Sequence, residues 1–127
     1  MKVFACCAAA CVLVLVLPAK AEEAVSKSYS ECMEKSGGVT PMMQDCISAE
    51  YEKQDERLNT AYRLLLAPLP EKRKALARDA QRKWLTFRDA NCGLYDNGGS
   101  AGRLAANECL LTHTARRAAE LEALKSD

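Results

Sequence analysis

Beyond residue 21 this chain holds only two Val and one Ile, while Ala, Leu, Glu, Lys, Arg and Gln dominate. Strands draw on β-branched residues and helices on the second group, so an all-α fold is expected. Gly and Pro divide the helical stretch into four. A first helix from about Val25 to Ser36 stops at Gly37-Gly38. Thr40 is a suitable cap and Pro41 a suitable first residue for a second helix, which runs to Leu66. Pro68 and Pro70 open a third helix, from Pro70 to Tyr95. Asp96-Asn97-Gly98-Gly99-Ser100 is a turn cluster, and a fourth helix follows from Ala101 to Leu124.

Helices two and three are each about 26 residues, or ~39 Å at 1.5 Å per residue. Equal lengths and a short Pro-rich connection imply a long antiparallel helical hairpin. Its apolar stripes are Met43, Ile47, Tyr51, Leu58, Tyr62 and Leu65 on helix two, and Leu76, Ala80, Trp84, Phe87 and Leu94 on helix three. The expected architecture is a four-helix, disulfide-stapled bundle built on this hairpin.

The start of the chain reads as a secretory signal. Lys2 precedes an uncharged apolar run of 15 residues, Val3 to Leu17, which is short for a membrane span. Ala19-Lys20-Ala21 fits the small-x-small cleavage rule, so cleavage after Ala21 is predicted, leaving one domain over residues 22–127 in the periplasm or outside the cell. An uncleaved anchor is the rival reading, and stable membrane insertion is not expected after cleavage. A lipid anchor at Cys11 is disfavoured, because the apolar run continues past it to Leu17. Cleavage takes the 18 basic residues to 16 against 17 acids, a net charge of −1. That balance gives no reason to expect a nucleic-acid partner.

Cys6, Cys7 and Cys11 leave with the signal, and Cys32, Cys46, Cys92 and Cys109 remain. Four cysteines in an exported chain read as two disulfides. With His113 as the sole His and no C-x-x-C spacing, a zinc site is disfavoured, and no metal or cofactor is expected. Reflecting each helix about its turn gathers the four sulfurs at one end of the bundle. Cys32–Cys46 with Cys92–Cys109 is favoured, because each bridge needs only a local hairpin. Cys32–Cys109 with Cys46–Cys92 stays geometrically credible.

No catalytic site stands out. Glu50, Glu52, Asp55 and Glu56 are interleaved with Lys53 and Arg57, the pattern of a solvated helical face. No phosphate loop is present. The chain is therefore read as a non-enzyme. Helix three is basic, and the simplest account is charge complementarity with the acids of helix two. Arg116-Arg117 suits the dipole of the last helix. Reflection about Pro68–Pro70 places Asp55 level with Gln81 and Arg82, and Glu50 close to Arg88, with Asn59, Tyr62 and Trp84 nearby. A polar and ionic layer across the hairpin is expected, fixing register.

These residues form a pattern: Cys46, Glu50, Asp55-x-x-Leu58-Asn59-x-x-Tyr62, Leu76, Gln81-x-x-Trp84, Arg88-Asp89, Cys92, Gly98-Gly99, Cys109, Thr114 and Arg116. It resembles the LprI-type lysozyme inhibitor family over most of the chain, from about Cys32 to Leu121. The resemblance implies a small exported helical protein of a bacterial envelope, with lysozyme as the partner for at least some members. The motif itself does not mark an inhibitory loop. On physical grounds the best insertion element is the polar, Gly-rich stretch Tyr95 to Arg103, held at its base if Cys92 pairs with Cys109. Asp96, Asn97, Ser100 and Arg103 are its candidate contacts. A protein that binds and blocks lysozyme is the first functional hypothesis. The second is a periplasmic interaction or envelope-stress module without lysozyme inhibition.

Overall fold

In the computed structural model residues 24–125 are described. The predicted signal segment lies outside the described residues. Four helices occur among the described residues and no strands: α1 (Lys27–Lys35), α2 (Thr40–Leu66), α3 (Glu71–Gly93) and α4 (Ser100–Lys125). Ser26 caps α1, its hydroxyl accepting from the Tyr29 amide at 3.3 Å. Gly37 and Gly38, at φ 56° and 80°, carry the chain through the left-handed region and end that helix. A tight turn follows, closed by the Val39 amide on the Ser36 carbonyl at 3.0 Å. It brings the chain into α2 one residue early. Val39 occupies the cap without a side-chain bond, and Thr40, the expected cap, is already helical with Pro41 in the first turn.

The all-α, disulfide-stapled four-helix architecture is the one expected, but the tightest pairing is α2 with α4. These helices run parallel. Asn107 donates to Gln44 at 2.9 Å near their starts, and Arg57 pairs with Glu122 at 2.5 Å near their ends. Ala61 and Ala118, both buried, let the two backbones approach, and Leu58 and Leu121 fill the space beside them. Leu111 and Ala115 are fully buried on the same face of α4. α3 runs back along the pair, linked antiparallel to α4 by Gln81–Arg117 and Asn91–His113. Trp84 packs against the Leu58–Leu121 cluster.

This arrangement overturns part of the expected stripe on α3. The face turned inward carries Gln81, Trp84, Arg88 and Cys92, while Leu76, Phe87 and Leu94 are 64%, 55% and 84% exposed. Arg88 can take a core position because its charge and donors are satisfied there. It pairs with Asp89 at 2.8 Å, donates to Thr114 at 3.2 Å, and lies 5.1 Å from the Trp84 ring centre.

Both local disulfides form, Cys32–Cys46 with Cα atoms 5.7 Å apart and Cys92–Cys109 with Cα atoms 5.5 Å apart. Cys46 and Cys109 are separated by the same 63 residues as the bonded pair Gln44 and Asn107, so the two bridges sit at one level. All four sulfurs therefore gather at the end that holds the α1–α2 and α3–α4 turns. No described helix is long and apolar enough to cross a membrane.

Candidate partner-binding site

The α3–α4 turn is built by its own side chains. α3 stops at Gly93, and the amides of Tyr95 and Asp96 still bond back to Cys92 and Gly93, at 3.2 Å each. Asp96 Oδ1 then accepts from the Gly98 amide at 2.9 Å, and Asn97 Oδ1 from the Gly99 amide at 3.1 Å. These are Asx turns, in which a short side chain replaces a backbone acceptor. Gly98 lies at φ 83°, where a side chain would be strained. Arg103 reaches back from the first turn of α4 to the Gly98 carbonyl at 2.9 Å. Ser100 opens α4. Asp96, Asn97, Ser100 and Arg103 thus share one exposed turn, directly above the Cys92–Cys109 bridge. Leu94 and Tyr95, 84% and 53% exposed, stand beside it.

Gly102 is buried under this turn, and a Cβ there would collide with Asn97 Oδ1 and with the Tyr95 carbonyl 2.8 Å away. Gly→Ala inside a helix ordinarily helps by up to ~1 kcal/mol. Here Gly102→Ala should instead destabilise by about 1–2 kcal/mol, because the turn must be displaced. Denaturant unfolding of the two proteins checks the sign.

The expected polar layer across α2 and α3 is not what the structure contains. Glu50, buried in α2, meets α1 instead of Arg88: it accepts from the Ser26 amide at 2.7 Å, the Ser26 hydroxyl at 2.5 Å and Gln54 at 2.8 Å. Burial works against its ionisation, but these bonds and Lys53 at 3.7 Å outweigh it, so the carboxyl sits below its ordinary value. Its neighbour Tyr29 is pushed up to about 12 by burial, by Glu108 and by Glu50 itself. Asp55 is held by Asn59 at 3.0 Å, on α2 alone. Gln81 accepts from Arg117 at 3.1 Å, and Arg82 pairs with Asp79 at 3.5 Å. Among the described residues, the bond of this layer that crosses from α3 to α2 runs from Arg88 to the Tyr51 hydroxyl, at 3.5 Å. Tyr62, like Trp84, packs against the core.

Sequence reasoning also missed the inward role of Arg117: its guanidinium turns to Gln81 and lies 5.8 Å from the Trp84 ring centre. Its placement one turn beyond Thr114, the partner of Arg88, was the available signal. Among the described residues no ion pair joins α3 to α2. The ion pairs of α3 among the described residues run to its own Glu71, Asp79 and Asp89. Asp45, Glu52 and Glu56 remain exposed along the outer side of α2.

Cys92, Cys109 and His113 bring their sulfur and nitrogen atoms within 4.8 Å of one another. The two sulfurs are bonded to each other and offer no thiolates to a metal. His113 instead contacts Asn91 at 3.3 Å and stacks T-shaped with Phe87. The site is therefore an exposed, hydrogen-bonded turn on a covalent staple, a shape suited to docking.

The protein family described as "Lysozyme inhibitor LprI" matches residues 32–121, which include both disulfides, the Asx-turn loop and the Trp84 cluster. An uncharacterized protein of Rhizobium meliloti (strain 1021) is 32% identical over 95 residues, covering 62% of this chain and 68% of that protein. No solved structure matches the chain. The match spans well over half of the sequence, and the chain belongs to the LprI lysozyme inhibitor family.

Proposed function

We propose that this protein is exported, binds a lysozyme and blocks it by occluding its cleft, with no chemistry of its own. The observation that carries this reading is the turn Tyr95 to Arg103. It projects from the bundle, yet its backbone is tied by Asp96, Asn97 and Arg103 and its base by a disulfide. A loop ordered before docking loses little entropy on binding, so more of its contact energy becomes affinity. Asp96, Asn97, Ser100 and Arg103 are the contacts, with Tyr95 as an apolar flank. The acids left on the outer side of α2 would speed encounter with a basic enzyme. Family membership supplies the partner class.

The reading is tested by titrating the oxidised chain, and its Asp96→Ala/Asn97→Ala variant, against lysozyme acting on cell walls. The variant should inhibit at least about tenfold more weakly, since removing central contacts commonly costs more than 1 kcal/mol. Equal inhibition by a correctly folded variant would remove the loop from the mechanism.

A further inference from the structure

α3 turns Gln81, Trp84, Arg88 and Cys92 inward and leaves a regular seam outside, apolar except for Lys83. Leu76, Ala80, Lys83, Phe87, Ala90 and Leu94 recur at steps of four, three, four, three and four, and all six are exposed. That is the alternation of a coiled-coil interface, sustained over about 27 Å of helix. Nothing among the described residues covers it, except that the Phe87 ring meets His113 in a T-shaped contact, with centroids 5.8 Å apart.

The order of residues along the seam identifies what fits it. Read from either end, it runs large, small, then Lys or Phe at the middle. An antiparallel copy of the same helix, centred on Leu85, sets Leu76 against Leu94 of the partner copy, Ala80 against Ala90, and Lys83 against Phe87. Each layer then occurs twice, as a two-fold axis requires. The Ala layers allow close approach, and the Lys83 ammonium meets an aromatic face. Its charge is already accompanied by Asp79 of its own helix at 2.8 Å. A parallel pairing would instead stack Lys83 on Lys83. Sliding the antiparallel register by one heptad would leave Leu76 or Leu94 without a partner.

A second feature agrees with this register. Beside Leu76 lies an apolar groove of about 610 Å³, lined by Leu65, Pro68, Leu69 and Leu124 together with Arg73. At the other end of the seam stands Leu94, 84% exposed. The antiparallel arrangement brings Leu94 of each copy to the groove of the other. The geometry points to a homodimer formed by antiparallel pairing of α3 with α3 of a second copy, with the two Asx-turn loops at opposite ends.

Sedimentation of the oxidised chain beginning at Glu22, from micromolar to millimolar concentration, tests this. A concentration-dependent dimer is expected, and Phe87→Glu should return it to a monomer with unchanged helical circular dichroism. Because Phe87 is more than half exposed in the single chain, this change should not unfold it. Orientation is read by mixing Ala80→Cys and Ala90→Cys proteins under mild oxidation. Cross-links should join one kind to the other and not form within either kind. A monomer at every concentration, a dimer indifferent to Phe87→Glu, or Ala80→Cys linking to itself would each overturn the proposal. The first of these would assign the seam to another occupant. Lysozyme inhibition is a separate readout, so this inference and the proposed function stand or fall independently.

Discussion

Replacing Cys92 and Cys109 together by Ala should lower stability by about 3 kcal/mol and the melting temperature by about 15 °C. The bridge spans a sequence separation of 17, which in the chain-entropy account removes that much freedom from the unfolded state. The protein has little with which to compensate. Among the described residues the fully buried large apolar side chains are Ile47, Leu111 and Leu121, and much of the remaining core is Ala and Cys. Small domains with such cores depend on staples. The same change should weaken lysozyme inhibition beyond what unfolding explains, because the loop from Tyr95 to Arg103 loses its fixed base. Denaturant unfolding and inhibition assays at a temperature where the variant stays folded separate the two effects. Full inhibition by the folded double variant would show that the staple serves stability alone.

Glu50→Ala should cost about 3 kcal/mol, through a different route. The carboxylate accepts three hydrogen bonds at the junction of α1 and α2, and Ala would leave the Ser26 amide and the Gln54 amide group without their acceptor. The first turn of α1 should then exchange its amide hydrogens much faster than the Leu58–Leu121 core. The pH dependence follows in sign. A carboxyl whose folded value lies below its ordinary 4.5 contributes stability that is fully present above that value. This contribution is lost as pH falls through the lowered value. Melting temperature should therefore drop on acidification below about pH 4.5 in the natural protein. It should drop less in Glu50→Gln, which keeps the shape and part of the bonding. Equal acid sensitivity of the two would exclude Glu50 as the source.

Local punctuation made much of the fold legible in the sequence. Gly37-Gly38, Pro41, Pro68-Pro70 and Gly98-Gly99 act through backbone dihedrals, and the helices begin and end close to them. The disulfides were legible for a related reason, since each joins neighbours across a short turn. What faces what across the bundle was not. Reflection about the Pro68–Pro70 turn treats α2 and α3 as a closed pair, whereas α4 packs most tightly on α2. Reflection thus sets Glu50 near Arg88 and Asp55 level with Gln81 and Arg82, whereas Glu50 bonds to Ser26 and Gln54, and Asp55 to Asn59. Hydrophobicity misled on α3 because it cannot anticipate Arg88 being satisfied by Asp89, Thr114 and the Trp84 ring. Once those groups meet, the helix can present Leu76, Phe87 and Leu94 outward. The loop of Asp96, Asn97, Ser100 and Arg103 could be singled out as polar and Gly-rich. Its internal bonding depends on Gly102 lying beneath Asn97, which no pattern of residue types reveals.

The central claim, a stapled helical protein that blocks lysozyme by binding, is tested most directly by one titration. Purified, oxidised chain beginning at Glu22 is added to a basic lysozyme and to a second lysozyme class acting on cell walls, at low and high salt. The account predicts that activity of at least one enzyme falls to zero at a fixed stoichiometry. It also predicts that salt slows the onset for the basic enzyme, as charge-steered encounter requires. Unchanged lysis by both enzymes, with the added protein shown to be folded and oxidised, would contradict it.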